Sequence, residues 1–353
     1  MRCPECEAIE ALLFEPTLFW LHLPTVDVLD KLKQAYASHE PPLRSDHDHH
    51  AALLVPRAQV GRFIDTLSAT LNGQELAGIR LITTPGKDPG IEDLGRVLDG
   101  KVFVNRYRGR EITDALAAGR YTSWFQPIRA AQAPEDAKPF AREALFRLWD
   151  AAGHLIPPAR AFLQADLSGQ LFTLDLLARR CAVETAARAG FAGNLFINFN
   201  PSSIYDPAYC LRTTAATIAE LGLRPENIVF ELTETHRARD MEHLKQILHF
   251  YRDAGFGVAI DDMGSGWAGL NLLHELRPDY MKLDMALIRD IDRDRFKQSI
   301  VVHLFETARR NGIQSLAEGV ETEAEADWLR AAGADLLQGF LFGRPEPVAD
   351  AGD

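Results

Sequence analysis

The chain has 353 residues and a mass of 39.3 kDa, which suits one large domain and one small one. Its 38 Lys and Arg against 50 Asp and Glu give a net charge of −12 and a pI near 5.4, so it should repel long nucleic acids. With 46% hydrophobic residues it can bury a substantial core, and no run of ~18 apolar residues predicts a membrane span. The first residues, MRCPECEAIE, lack the basic and apolar regions of a secretory signal. Four cysteines argue against a disulfide framework and for a reducing cytoplasm.

Residues 1–110 read as a small α/β or α+β module, of regulatory or sensory type. Strands are expected at 18–23, 51–55, 78–83 and 101–107, and helices at 26–38 and 58–71. Residues 40–50 read as a polar loop. A helix at 114–119 then leads into residues 111–350, which have a different grammar. Short apolar runs at 125–128, 140–148, 194–199, 227–234, 256–262, 280–284, 314–320 and 336–343 read as strands, with helical stretches between the later ones. Met241, Leu244, Leu248 and Tyr251 fall on one helix face, and Gly255 stops that helix. Ile300, Leu304 and Ala308 mark another helix, capped by Asn311-Gly312, and 323–332 a third. Eight strands with interleaved helices predict a TIM-type (β/α)₈ barrel, with a doubly wound open sheet as the competitor.

Carboxylates recur inside or at the ends of these apolar runs. Glu143, Glu231, Glu234, Asp261, Asp262, Asp284, Glu318 and Glu321 all do so, as does the amide Asn198. In a parallel barrel, residues near the C-terminal strand ends converge on one mouth. Several carboxylates there need compensating positive charge, and divalent metal is the simplest source. An all-oxygen set indicates Mg²⁺ or Mn²⁺ rather than zinc. Lys282 adds a cation beside them, and the combination suits phosphodiester hydrolysis. Each residue also has a plainer explanation. A lone Asp at a strand end usually caps the next helix, and Glu143–Arg147 or Lys282–Asp284 are possible ion pairs. All of these would have to hold together to explain the pattern. Residues 115–353 carry 25 basic and 33 acidic side chains, so the eight carboxylates named equal the acidic excess of that segment.

These residues resemble the EAL family of cyclic-di-GMP phosphodiesterases. The matching segments are Gln126-Pro-Ile, Glu143-Ala-Leu-Phe-Arg147, Ile197-Asn198, Glu231-Leu-Thr-Glu234, Asp261-Asp-Met-Gly-Ser-Gly266, Lys282-Leu-Asp284, Ala317-Glu-Gly-Val-Glu321 and Gln338-Gly339, in family order. The resemblance implies a barrel whose first strand runs antiparallel to the rest. It also implies a hydrolase of second-messenger signalling that converts cyclic-di-GMP to linear pGpG with two Mg²⁺ or Mn²⁺ ions. By position, Glu143, Asn198, Glu231 and Asp261 would hold one metal, and Asp262 the second, with Asp261 bridging. Lys282 would orient the attacking water or hydroxide, with Glu318 assisting as a base or through bound water. Glu321 is placed beside these catalytic groups. Gln126, Leu145, Arg147, Asp284 and Gln338 would meet substrate, Arg147 through a phosphate. Glu234 would anchor the loop that follows Asp262 and links the metal site to a homodimer interface. That loop departs from the family's Phe-Gly-Thr-Gly-Tyr-Ser: this chain has Met263, Ser265, Trp267 and Ala268, with Gly264 and Gly266 kept. The departure bears on coupling and rate more than on metal binding.

Two further expectations complete the reading. Cys3 and Cys6 have zinc-knuckle spacing, and two imidazoles from Asp46-His-Asp-His-His50 would complete a Cys₂His₂ site for Zn²⁺. The alternative functions are a cyclic-di-GMP receptor with little or no turnover, and a hydrolase of another phosphoester.

Overall fold

The structure is a computed structural model. It describes residues 13–40, 42–191, 193–201, 204, 207–233, 241–264 and 269–348, without the side chains of residues 46, 207–211, 213, 233 and 269. Cys3, Cys6, Glu234, Ser265 and Trp267 therefore lie outside the described residues.

The front segment runs β1 (Thr17–His22), α1 (Val26–Ala35), β2 (Arg44–His47), β3 (His50–Val55), α2 (Val60–Thr70), α3 (Gly73–Gly78), β4 (Arg80–Thr84), β5 (Leu98–Asp99), α4 (Gly100–Arg108) and α5 (Arg110–Ala117). Its five strands form one antiparallel sheet in the order β2-β3-β1-β4-β5. With α1 and α2 as the crossovers, this is a split β-α-β arrangement. Phe19 on β1 packs its ring 4.3 Å from Phe63 on α2 and 5.5 Å from Phe103 on α4. Thr25 caps α1, which buries Val28, Leu29 and Leu32.

Two expectations for this segment need correction. Residues 101–107 form a helix, not a strand. Asp99 accepts a hydrogen bond from the Val102 amide at 2.7 Å, and Phe103 and Val104 turn to the core. The run Lys101-Val-Phe-Val-Asn-Arg-Tyr107 alternates well enough for a strand, but an N-cap and a basic last turn decide for helix. The polar stretch 40–50 contains β2 and the turn into β3, a hairpin in which His47 pairs with His50.

The second segment continues with β6 (Tyr121–Ala130), β7 (Ala141–Trp149), β8 (Leu155–Ile156), α6 (Pro158–Leu167), α7 (Leu171–Arg188), β9 (Asn194–Asn198), α8 (Pro207–Glu220), β10 (Ile228–Thr233), α9 (Met241–Asp253) and β11 (Gly257–Met263). It ends with α10 (Gly269–Leu276), β12 (Tyr280–Leu283), α11 (Met285–Ile288), α12 (Arg295–Arg310), β13 (Gln314–Ala317), α13 (Glu323–Ala332) and β14 (Leu336–Gln338). Packing divides the chain into two compact units. Among the described residues, Leu148–Leu171 group with those up to Arg120, while Tyr121–Arg147 and those from Phe172 onward form the other unit.

That other unit is a closed eight-stranded barrel in the order β6-β14-β13-β12-β11-β10-β9-β7, with β6 also pairing with β7. Strand β6 runs antiparallel to β14, whereas β7, β9, β10, β11, β12, β13 and β14 are parallel. Closure excludes the doubly wound alternative. Helix α9 lays Leu244, Ile247, Leu248 and Tyr251 on the barrel, and Tyr251 stacks on Phe230 at 4.0 Å. Gly255, at φ +86°, ends that segment in a conformation other residues enter at a cost. Helix α12, capped by Asp294, buries Val301, Phe305 and Ala308, with the expected Leu304 partly buried against the same core. Among the described residues, no helix is long and apolar enough to cross a membrane.

The interior explains how the mouth is built. Ile128, Ala141, Phe196, Val229, Ala259, Leu316 and Leu336, with Tyr280 packed against them, fill the barrel as an apolar plug. Strand side chains repeat on the same face every second residue. One pleat further along the parallel strands stand Glu143, Asn198, Glu231, Asp261, Lys282, Glu318 and Gln338. On the antiparallel β6 the same step runs backwards, from Ile128 to Gln126. At the opposite strand ends, Asp279 and Asp335 accept hydrogen bonds from the Val258 and Ser315 amides at 2.9 and 2.8 Å. Those two carboxylates serve the backbone.

Candidate active site

Lys282 is the centre of the mouth. Its side chain is 1% exposed. Its Nζ lies 2.7 Å from Glu231, 2.7 Å from Glu318, 3.1 Å from Asp261 and 3.9 Å from Glu143. Burial works against its ammonium, but the surrounding carboxylates outweigh burial and hold its pKa well above the usual lysine value. One cation among four carboxylates leaves an excess of negative charge. Burial accordingly pushes the Glu231 and Glu318 carboxyls well above the ordinary range, Lys282 opposing. Asp262 is pushed up to about 6, first by burial and next by the charge of Asp261.

Glu143 is held from two sides. Asn198 Nδ2 donates to its Oε1 at 3.0 Å, and Gln338 Nε2 donates to its Oε2 at 2.6 Å. Gln338 Nε2 also lies 3.2 Å from Gln126 Oε1, and Gln126 Nε2 donates to the Gly343 carbonyl at 3.1 Å. Both glutamines are buried, so the structure joins them to a carboxylate of the mouth. Gly339 makes this possible: a Cβ there would stand 2.0 Å from the Val320 carbonyl oxygen. The strand β14 can thus lie against the Glu318–Glu321 turn only with glycine at that position.

Asp262 sits at φ +58°, a left-handed conformation, immediately after Asp261. Its amide donates to Asp261 Oδ1 at 3.0 Å. One carboxylate oxygen each from Asp261, Asp262 and Glu318 lies within 4.8 Å of the others. These three residues could hold a metal ion. The set fits a divalent cation on two grounds. Its donors are all oxygen, and beside it the buried Glu231 Oε2 has no hydrogen-bond partner among the described residues, while Oε1 faces Lys282.

Other expected site residues stand apart from Lys282. Glu321 is gripped by Arg289, at 2.5 and 2.6 Å, and that ion pair lowers its pKa. It is not within ion-pair distance of Lys282. Sequence gave no sign of Arg289, which lies 32 residues away. Asp284 caps α11, accepting from the Ala286 amide at 2.7 Å, which is the plain role of an Asp at a strand end. Arg147 shares a strand face with Glu143 and Leu145, and its guanidinium carbon lies 5.2 Å from the Trp124 ring centroid. Burial lowers its pKa and Glu143 opposes that shift. Leu145 is half-buried.

The front segment gives no support to the zinc expectation. Among the described residues, the convergent group of three ligands is Asp261, Asp262 and Glu318, with no member from the histidine hairpin. His47 and His50 are opposite across the hairpin, while His49 turns its Nδ1 to the Leu23 carbonyl at 3.0 Å.

Residues 109–345 match the family model described as EAL domain. The chain belongs to the EAL family. A probable cyclic di-GMP phosphodiesterase of Escherichia coli, PdeG, is 31% identical over 70% of this chain and 50% of its own length. The cyclic di-GMP phosphodiesterase PdeB of Shewanella oneidensis is 27% identical over 67% of this chain and 28% of its own. A standalone EAL protein of Vibrio cholerae, solved with c-di-GMP bound, is 38% identical with a TM-score of 0.57. That match covers 64% of this chain and 92% of the other. The chain thus spans half or less of the length of these two curated relatives.

Proposed function

We propose that this EAL protein hydrolyses cyclic-di-GMP to linear pGpG. The observation that carries the proposal is the buried Lys282, surrounded by Glu143, Glu231, Asp261 and Glu318 with Asn198 and Asp262 beside them. Every metal-ligand and lysine position of the family pattern is present.

Two divalent cations, when bound, supply a water of lowered pKa and neutralise charge in an in-line displacement. Glu143, Asn198, Glu231 and Asp261 would hold the first, and Asp262 the second. Lys282 orients the attacking oxygen through its Nζ. Glu318, 2.7 Å from the Lys282 Nζ, would assist as the base. Arg147 meets a phosphate. Gln126 and Gln338 reach substrate only by exchanging the bonds they make with each other and Glu143. Leu145 and Asp284 line the approach, and Glu321 braces it through Arg289. Glu234 anchors the loop after Asp262, and the barrel pairs as a homodimer. Residues 1–110 regulate the barrel of 111–350.

The test is the purified full chain with cyclic-di-GMP and Mg²⁺ or Mn²⁺, with pGpG read by chromatography. Release of pGpG that stops with EDTA is expected. Tight binding without pGpG under either metal would establish the receptor instead. Cleavage of linear dinucleotides in preference to the cyclic one would point to another phosphoester.

A further inference from the structure

Two buried charges outside the mouth lie on α7. Arg179 is 0% exposed and Asp175 3%. Arg179 Nε and Nη2 meet Asp175 Oδ2 at 3.0 and 2.9 Å, and its Nη1 donates to Thr214 Oγ1 on α8 at 3.0 Å. The other oxygen, Asp175 Oδ1, accepts from the backbone amide of Asn200 at 2.9 Å. Asn200 stands two residues beyond Asn198, where β9 ends. Between them, the Phe199 amide donates to the Glu231 carbonyl at 3.1 Å. The backbone leaving Asn198 is thus tied at both following amides, to β10 and to α7.

A buried ion pair costs desolvation, and well-packed apolar residues in its place are often as stable. Stability alone does not account for this pair, whereas its contact with the strand end gives it a task. We propose that Asp175 and Arg179 are positioning residues for Asn198. Arg179 fixes the rotamer of Asp175, and Asp175 fixes the Asn200 amide. The Asn198 carboxamide then keeps Nδ2 on Glu143, which leaves Oδ1 for the cation. Its role in turnover rests on the proposed phosphodiesterase reading, but its hold on the strand end does not.

Two double variants of the full chain separate positioning from packing. Asp175→Leu with Arg179→Met removes both charges and the acceptor for Asn200. Asp175→Asn with Arg179→Met removes both charges but keeps that acceptor. Hydrogen exchange read by mass spectrometry should be about tenfold faster for residues 194–201 in the Leu variant, with 257–263 unchanged. Mn²⁺ affinity by calorimetry should fall about tenfold in the Leu variant, the size typical of losing an outer support of a metal ligand. In the Asn variant, which keeps the acceptor but loses the hold of Arg179 on its rotamer, both should change by only a few-fold. kcat should follow Mn²⁺ affinity while KM holds. Equal exchange at 194–201 in the two double variants would overturn the inference. A wild type without pGpG or Mn²⁺ binding would end the phosphodiesterase reading instead, and exchange would still decide this one. If the Leu variant fails to fold, Thr214→Val frees only the Arg179 bond to α8. It should speed exchange at 194–201 by a few-fold, and no change there would equally overturn the inference.

Discussion

The two compact units bury different things. The front unit closes over Phe19, Tyr36, Phe63 and Phe103, and among its described residues the one buried charge is Asp93. Asp93 is engaged locally, with the Gly90 amide at 3.0 Å and Arg96 at 3.2 Å. The barrel has an apolar plug of the same kind, yet above it Glu143, Glu231, Asp261 and Lys282 are all buried. A fold in search of stability alone has no use for four such groups, since each loses hydration on burial. The difference marks the barrel mouth as the place where stability gave way to chemistry.

The comparison breaks most sharply at Lys282. Lys282→Met should leave Glu231, Asp261 and Glu318 without their cation. In EDTA the barrel should lose about 3–5 kcal/mol, read by urea unfolding, and Mn²⁺ should return part of it. Hydrolysis of cyclic-di-GMP should fall about 10²–10³-fold, as when an electrostatic donor is removed from a reacting centre. Unchanged stability in EDTA would mean the carboxylates need no internal cation.

The matching substitution in the front unit is Phe19→Ala. It should cost a similar amount, about 3–5 kcal/mol, because it opens a cavity between Phe63 and Phe103. Calorimetric Mn²⁺ affinity should not move. A shift there would show that the two units are coupled in the free protein.

The smallest effect is in pH. Asp262 is raised to about 6, so its protonated form gains in the folded, metal-free protein. The stability it contributes is present below its ordinary value of 3.8 and lost as pH rises through about 6. A cation needs the carboxylate, so below pH 6 a proton must leave first. Mn²⁺ affinity should drop about tenfold per pH unit there through this group. Burial also raises Glu231 and Glu318, which should add to the pH dependence. Asp262→Asn should flatten the profile around pH 6, and an identical profile in that variant would refute the assignment.

Much of the barrel was legible because apolar runs and carboxylates recur at fixed places in each strand. All eight expected strands are present, from β6 to β14. One misreading has a physical cause, and other residues make contacts that no local pattern shows. Residues 101–107 alternate like a strand, and only the Asp99 cap against the core reveals a helix. The Asp at 284 has the spacing of a site residue and the task of a cap. Glu321 belongs to the right turn, but Arg289, distant in sequence, claims its carboxylate. Gln126 and Gln338 were expected at substrate and are found joined to Glu143.

Sequence by itself determined the repeat, the residue types at the mouth and the all-oxygen donor set. These are written locally, because strand period and side-chain chemistry need no partner from elsewhere in the chain. Only the tertiary structure decided which carboxylates share Lys282, which are caps, and what supports them. Closure of the barrel brings Gln126 and Gln338, 212 residues apart, within hydrogen-bond reach. It sets Asp175 behind the strand end at Asn200, 25 residues away. Such pairings follow from strand order and register, which no local pattern encodes.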